Sequence, residues 1–167
     1  MPTLFISSNR HDEAIAEQLQ AQLTQRGFSH WRADSDWYGT PGWPKIIGER
    51  IAEHELFLVL WSQQAAISHI IEFEWHMAQL LQRRIIVLRL DDTPLRPEMP
   101  ADLQFDWPPP AEFWHTLQKP APPFDAEIVQ EVVKKLVRFN ETKPAQVTRK
   151  MRIVYFNSRI DNPKLEL

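Results

Sequence analysis

The residue most capable of chemistry is Glu74, in the segment His69-Ile70-Ile71-Glu72-Phe73-Glu74-Trp75-His76-Met77-Ala78. On a helix, residues three and four positions apart are neighbours, so Glu74 is surrounded by Ile70, Ile71, Met77, Ala78 and Leu81. A carboxylate is rarely placed in an apolar stripe without a partner. The position therefore suits a pocket acid whose pKa is set by its surroundings. The structural alternative is a side chain that reaches out at the edge of the stripe or pairs with an arginine. Glu72, by contrast, has Ser68, His69, Trp75 and His76 around it and is expected in solvent.

Other candidates are weaker. His69 and His76 are seven apart and share a helix side, but no third ligand and no cysteine accompanies them, so no metal site is expected. Trp37 and Trp43 flank Gly39 and Gly42 in a turn-rich stretch, where large rings either stack on a flat ligand or cover the end of a sheet. Arg10 lies just beyond the first apolar run, in reach of a phosphate or simply solvated.

Periodicity supplies the elements that would carry these residues. Leu4-Phe5-Ile6 reads as a buried strand running into Ser7-Ser8-Asn9. Ile15, Ala16, Leu19 and Leu23 then recur at helical spacing up to Gly27. Residues 28–33 form a second strand, residues 34–43 a loop, and Pro44, Ile47 and Ile51 a second helix. Residues 56–61 are apolar throughout, as a strand covered on both faces requires. A helix is expected over 68–84 and a fourth strand over 85–90. Nine of the fourteen prolines fall between 94 and 123, which predicts a loop-rich passage with one short strand near 103–107. A helix over 126–139 follows, and 140–167 reads as a tail or linker toward a further domain. The alternation describes an α/β fold, a doubly wound parallel sheet of about five strands with helices on both faces, in a domain spanning 1–139.

Composition narrows the function. With 43% hydrophobic and 25% charged residues the chain is of ordinary globular type, and 167 residues suffice for one core without staples. The absence of cysteine excludes disulfides, thiolate nucleophiles and Cys-ligated metals, and favours a cytoplasmic setting. Nineteen basic against 22 acidic residues argue against a dedicated nucleic-acid binder. No apolar run approaches the ~20 residues that span a bilayer, and the N-terminus lacks the pattern of a signal peptide. Four glycines, none in the spacing of a dinucleotide or phosphate loop, exclude the Rossmann and Walker sites. A phospho-accepting receiver would want acids after the first and third strands, where Ser7-Ser8-Asn9 and Ser62-Gln63-Gln64 stand.

Taken in order, these segments resemble the TIR (Toll/interleukin-1 receptor homology) domain of bacterial type. The resemblance covers Leu4 to about Trp107: the opening Leu4-Phe5-Ile6-Ser7-Ser8-Asn9-Arg10, the loop Asp34 to Trp43 in place of the family's BB loop, the strand Phe57 to Ser62, Glu74-Trp75 with Ala78, and the strand ending Asp91-Asp92-Thr93-Pro94-Leu95. It implies a flavodoxin-like sheet and one of two activities: self-association as a signalling module, or cleavage of the nicotinamide–ribose bond of NAD+. The family's catalytic glutamate falls on Glu74. The resemblance further implies that Ser8, Asn9 and Arg10 line the pocket beside ribose and phosphates, and that Asp36, Trp37 and Trp43 cover the nucleotide. Ile70 stands where many active members carry a tryptophan against nicotinamide.

The expected function is thus an NAD+ hydrolase, an immune or antiphage effector activated by homo-oligomerisation, with NAD+ as substrate and no cofactor or metal. A non-catalytic interaction module docking through the BB loop is the alternative, and a nucleotide sensor without turnover a third. The product, linear or cyclic ADP-ribose, is left open, and a sensor domain or protein is expected beyond residue 140.

Overall fold

Parity along the central strands decides what faces what. Strand β1 (Leu4–Ser7) turns Leu4 and Ile6 toward one layer of helices and Phe5 toward the other, and β3 (Leu56–Trp61) does the same with Leu56, Leu58, Leu60 against Phe57, Val59, Trp61. With β2 (His30–Arg32), β4 (Arg84–Arg89) and β5 (Gln104–Asp106) they form one parallel sheet in the order β2-β1-β3-β4-β5. This is the flavodoxin-like winding, in which ligands bind outside the carboxyl ends of the strands. The structure, a computed structural model, describes residues 1–33, 38, 42–99, 103–123 and 125–139, with backbone only at 133 and 135–139.

Helix α1 (Glu13–Gln25) lays Ala16, Leu19 and Leu23 on one face of the sheet, and Gly27 follows at φ +79°. A Cβ there would stand 3.1 Å from the Met1 side chain in a conformation few other residues adopt. Helix α2 (Trp43–Glu53) begins after Gly42 at φ +82° with Pro44 in its first turn, and packs Ile47 and Ile51 on the opposite face. A short α3 (Gln63–Ala66), capped by the Ser62 hydroxyl at 3.1 Å from the Ala65 N–H, leads into α4 (His69–Leu80), whose N-cap is Ser68. Helix α5 (Ala111–Gln118) joins the α1 face through Phe113 and Leu117. Helix α6 (Ala126–Phe139) packs on α2 with Ile128, Val129 and Val132 turned inward.

Several expectations need correction. The helix expected over 68–84 ends at Leu80, because Arg84 already pairs with Leu56 in the sheet and must be extended. The reversal is made at Gln82, φ +56°, with the Arg83 N–H closing on the Ala78 carbonyl at 2.9 Å. The second strand is only His30–Arg32. The proline-rich passage is less irregular than expected, since it holds α5 as well as β5; Phe113 and Leu117, four apart, were the signal for that helix. Trp43 belongs to α2 rather than to the loop, and Glu72 is buried rather than solvated. The segment 140–167 lies outside the described residues.

Candidate functional site

The alternation that turns Phe5 toward α2 and α4 turns Ser7 the same way, at the carboxyl end of β1. There its hydroxyl donates to Oε2 of Glu74 at 2.5 Å. Ser7 is 1% exposed and Glu74 not at all, so this bond joins strand and helix inside the protein. The phenol of Tyr38 donates to the other carboxylate oxygen, Oε1. Among the described residues, each oxygen of Glu74 thus accepts from one neutral hydroxyl.

Burial raises the Glu74 carboxyl to about 7, and the hydrogen bonds from Ser7 and Tyr38 pull in the opposite direction without cancelling it. The same burial, with Glu74 beside it, pushes the Tyr38 phenol above its ordinary range. A carboxyl poised near neutrality in a dry site can exchange a proton at physiological pH, and as the anion it can stabilise a nearby cationic centre.

Beside it, Arg32 at the end of β2 holds Glu13 through two bonds of 2.7 and 2.5 Å, Gln20 at 3.0 Å and the Ser8 hydroxyl at 3.3 Å. The guanidinium keeps the Glu13 carboxyl below the usual carboxylate range. Asn9 caps the 3₁₀ turn Arg10–Asp12 by accepting from the His11 N–H at 3.0 Å, and its amide donates to the Gln64 carbonyl at 3.3 Å. Arg10 is exposed on that turn. Asp12, raised mainly by burial, accepts from the Ser62 hydroxyl at 2.7 Å.

The sequence-derived set is therefore divided. Glu74 sits at the centre, with Ser8 and Asn9 in the loop after β1 on the same edge of the sheet. Ile70, one turn before Glu74 on α4, is partly buried. Trp43 is 9% exposed, with Tyr38 and Phe73 edge-on at 5.7 and 5.1 Å, so it supports Tyr38 from below. Asp36 and Trp37 lie outside the described residues. His69 and His76 part company: His69 is exposed beside Glu72, whereas His76 is buried against the Trp75 ring at 3.7 Å. Three participants were not assigned from the sequence. Strand parity was the available signal for Ser7. Arg32 ends a strand on the ligand edge. Nothing in its local pattern marked Tyr38.

Residues 4–117 match the family model of the TIR domain. The chain belongs to the TIR domain family. The match extends past the expected limit near Trp107 to take in α5. Among solved structures, the TIR domain of the Toll-related receptor TRR-2 from the lower metazoan Hydra magnipapillata superposes with a TM-score of 0.56 at 17% identity, covering 70% of this chain and 95% of that one. A prokaryotic SEFIR domain aligns at 15% identity over 87% of this chain and 96% of that one, with a TM-score of 0.39, too loose to bear on the fold. The comparison with curated proteins gives no match. As a TIR domain the chain is a signalling or effector module of a kind that associates with other TIR domains. Among the described residues, no helix of this TIR domain is long and apolar enough to cross a membrane.

Proposed function

We propose that this TIR domain is an NAD+ hydrolase in which Glu74 is the catalytic residue and self-association brings it to the active state. The observation that carries the reading is the Glu74 carboxyl itself. It is fully buried at the carboxyl edge of the sheet, bonded among the described residues by the hydroxyls of Ser7 and Tyr38, and its pKa is raised to about 7. A carboxyl placed only to stabilise the fold would gain more from a cation, as Glu72 gains from Arg96 at 2.8 Å.

In the reaction the bond between C1′ of the ribose and the nicotinamide nitrogen breaks, and its electron pair leaves with neutral nicotinamide. The ribose carbon becomes oxocarbenium-like, and the Glu74 carboxylate stabilises that charge and accepts hydrogen bonds from the ribose hydroxyls. Water then adds to C1′ and gives up a proton to Glu74 and on to solvent, leaving ADP-ribose. Ser8, Asn9 and Arg10 would contact ribose and phosphates, and Ile70 the nicotinamide ring. Asp36 and Trp37 would cover the nucleotide, and Trp43 would support Tyr38. An antiphage or immune effector role in the cytoplasm fits such an activity, because NAD+ depletion or a nucleotide product serves as an output.

The test is product analysis by chromatography with mass detection after incubating concentrated wild-type protein, Glu74→Ala and Glu74→Gln with NAD+, with and without a crowding agent. Nicotinamide released by the wild type alone, with both variants folded by circular dichroism, is the expected result, and the co-product identifies linear or cyclic ADP-ribose. Intact NAD+ under assembling conditions, or equal turnover in the variants, overturns the assignment. It would leave the module as one that acts through TIR–TIR association alone.

A further inference from the structure

The two hydroxyls on Glu74 are not equivalent. Ser7 is the last residue of β1 and is paired with Val59, so its Cα cannot shift without breaking the parallel pairing of β1 with β3. Tyr38 reaches Glu74 from a turn outside every strand and helix, and it is partly exposed where Ser7 is sealed. The Oε2 donor, Ser7, is buried in the sheet, and among the described residues bonded to Glu74 the partly exposed one is Tyr38, at Oε1. A ligand hydroxyl approaching Glu74 thus meets Oε1 from the side of the Tyr38 hydroxyl.

We propose that the two donors divide the work on Glu74: Ser7 is a positioning residue that keeps hold of Oε2 when substrate is bound, and Tyr38 is an exchangeable donor whose place at Oε1 is taken by a substrate hydroxyl. The inference deepens the NAD+ hydrolase reading and rests on it. Among the described residues, Arg32 acts on the phenol and is itself held by Glu13, and Glu72, two positions from Glu74, is turned to Arg96. Exchange of one hydroxyl for another keeps the count of hydrogen bonds on the carboxylate constant, so substrate entry carries no penalty for a stripped buried acceptor.

The experiment follows the Glu74 carboxyl directly, by titrating its ¹³C signal in glutamate-labelled wild type, Ser7→Ala, Ser7→Thr and Tyr38→Phe, without ligand and with saturating ADP-ribose. Without ligand, Ser7→Ala and Tyr38→Phe both raise the midpoint, since each removes a donor to the anion, and Ser7→Thr restores it. With ADP-ribose bound, Tyr38→Phe coincides with wild type while Ser7→Ala stays displaced. In turnover, Ser7→Ala lowers kcat about tenfold and Ser7→Thr recovers it, whereas Tyr38→Phe lowers KM about three- to tenfold because substrate no longer competes with the phenol. A Tyr38→Phe midpoint that remains apart from wild type in the complex overturns the exchange. A Ser7→Ala midpoint equal to wild type without ligand overturns the positioning role. ADP-ribose that fails to bind even wild type removes the NAD+ reading and the exchange with it, while the ligand-free titration still decides Ser7.

Discussion

Glu72 and Glu74, two positions apart on α4, are both buried and are satisfied in opposite ways. Glu72, 6% exposed, is met by the Arg96 guanidinium at 2.8 Å, and Arg96 also reaches the Ala66 carbonyl at 2.6 Å. Glu74, wholly enclosed, accepts from the hydroxyls of Ser7 and Tyr38 among the described residues. One pair ties the segment after β4 to its helix; the other leaves a carboxyl that can change its protonation state near neutral pH.

The ion pair predicts a stability effect independent of any activity. Arg96→Ala strands the Glu72 carboxylate with exposed His69 at 3.5 Å as its remaining partner. Breaking a buried pair from one side costs more than the pair contributes. Because Arg96 is itself 29% exposed, the expected loss is at the low end, about 2 kcal/mol. The double variant Arg96→Met with Glu72→Gln should recover more than half of it. Urea unfolding of the three proteins checks this, and a double variant no more stable than Arg96→Ala would show that the pair is not what holds the segment.

Much of this is legible in the sequence. The apolar run of β3, the spacing of Ala16, Leu19 and Leu23, and the apolar neighbours of Glu74 depend on local pattern, and local pattern gave them their place. The burial of Glu72 is not legible there, because its partner lies 24 positions away in a loop and neighbours on one's own helix say nothing about a distant arginine. Tyr38 was invisible for the same reason: its hydroxyl meets Glu74 across 36 positions of chain. The helix Ala111–Gln118 was hidden by Pro108, Pro109 and Pro110, which end at its N-cap rather than excluding it.

The raised Glu74 carboxyl fixes a sign for stability against pH. Its pKa is about 7 in the fold against 4.5 for a free side chain, so between those values the native state holds a proton that the unfolded chain has lost. Stability is therefore greatest at low pH as far as this group is concerned. It falls as pH rises from 4.5 through 7, by about 3 kcal/mol in all. Urea unfolding at pH 5 and pH 8 should show wild type losing about that much more than Glu74→Gln, whose amide does not titrate. Equal losses would place the Glu74 carboxyl at its ordinary value in the fold.

The same enclosure separates two substitutions at Glu74 by their effect on folding. Glu74→Gln preserves shape and one good acceptor, and should cost about 1 kcal/mol. Glu74→Ala leaves a void and strands the Ser7 hydroxyl inside the protein, and should cost about 3 kcal/mol. Denaturation midpoints decide between them. A Glu74→Gln protein as unstable as Glu74→Ala would mean that the negative charge itself is built into the fold.

Ile70 offers a gain rather than a loss. It lies one helical turn before Glu74 in the first turn of α4, partly buried, so a larger side chain can be accommodated without opening the core. An indole there can lie against a flat cationic ring, which an aliphatic side chain cannot do with the same geometry. Aromatic contacts of this kind contribute about 0.5–1.5 kcal/mol beyond area, which corresponds to about two- to tenfold in affinity. Ile70→Trp should lower KM for NAD+ by that factor while the unfolding midpoint changes little. Steady-state nicotinamide release from wild type, Ile70→Trp and Ile70→Ala checks it, with Ile70→Ala expected to move the other way. A KM that is the same in all three proteins would take the nicotinamide ring away from this face of α4, and would place the glycosidic bond on the far side of Glu74.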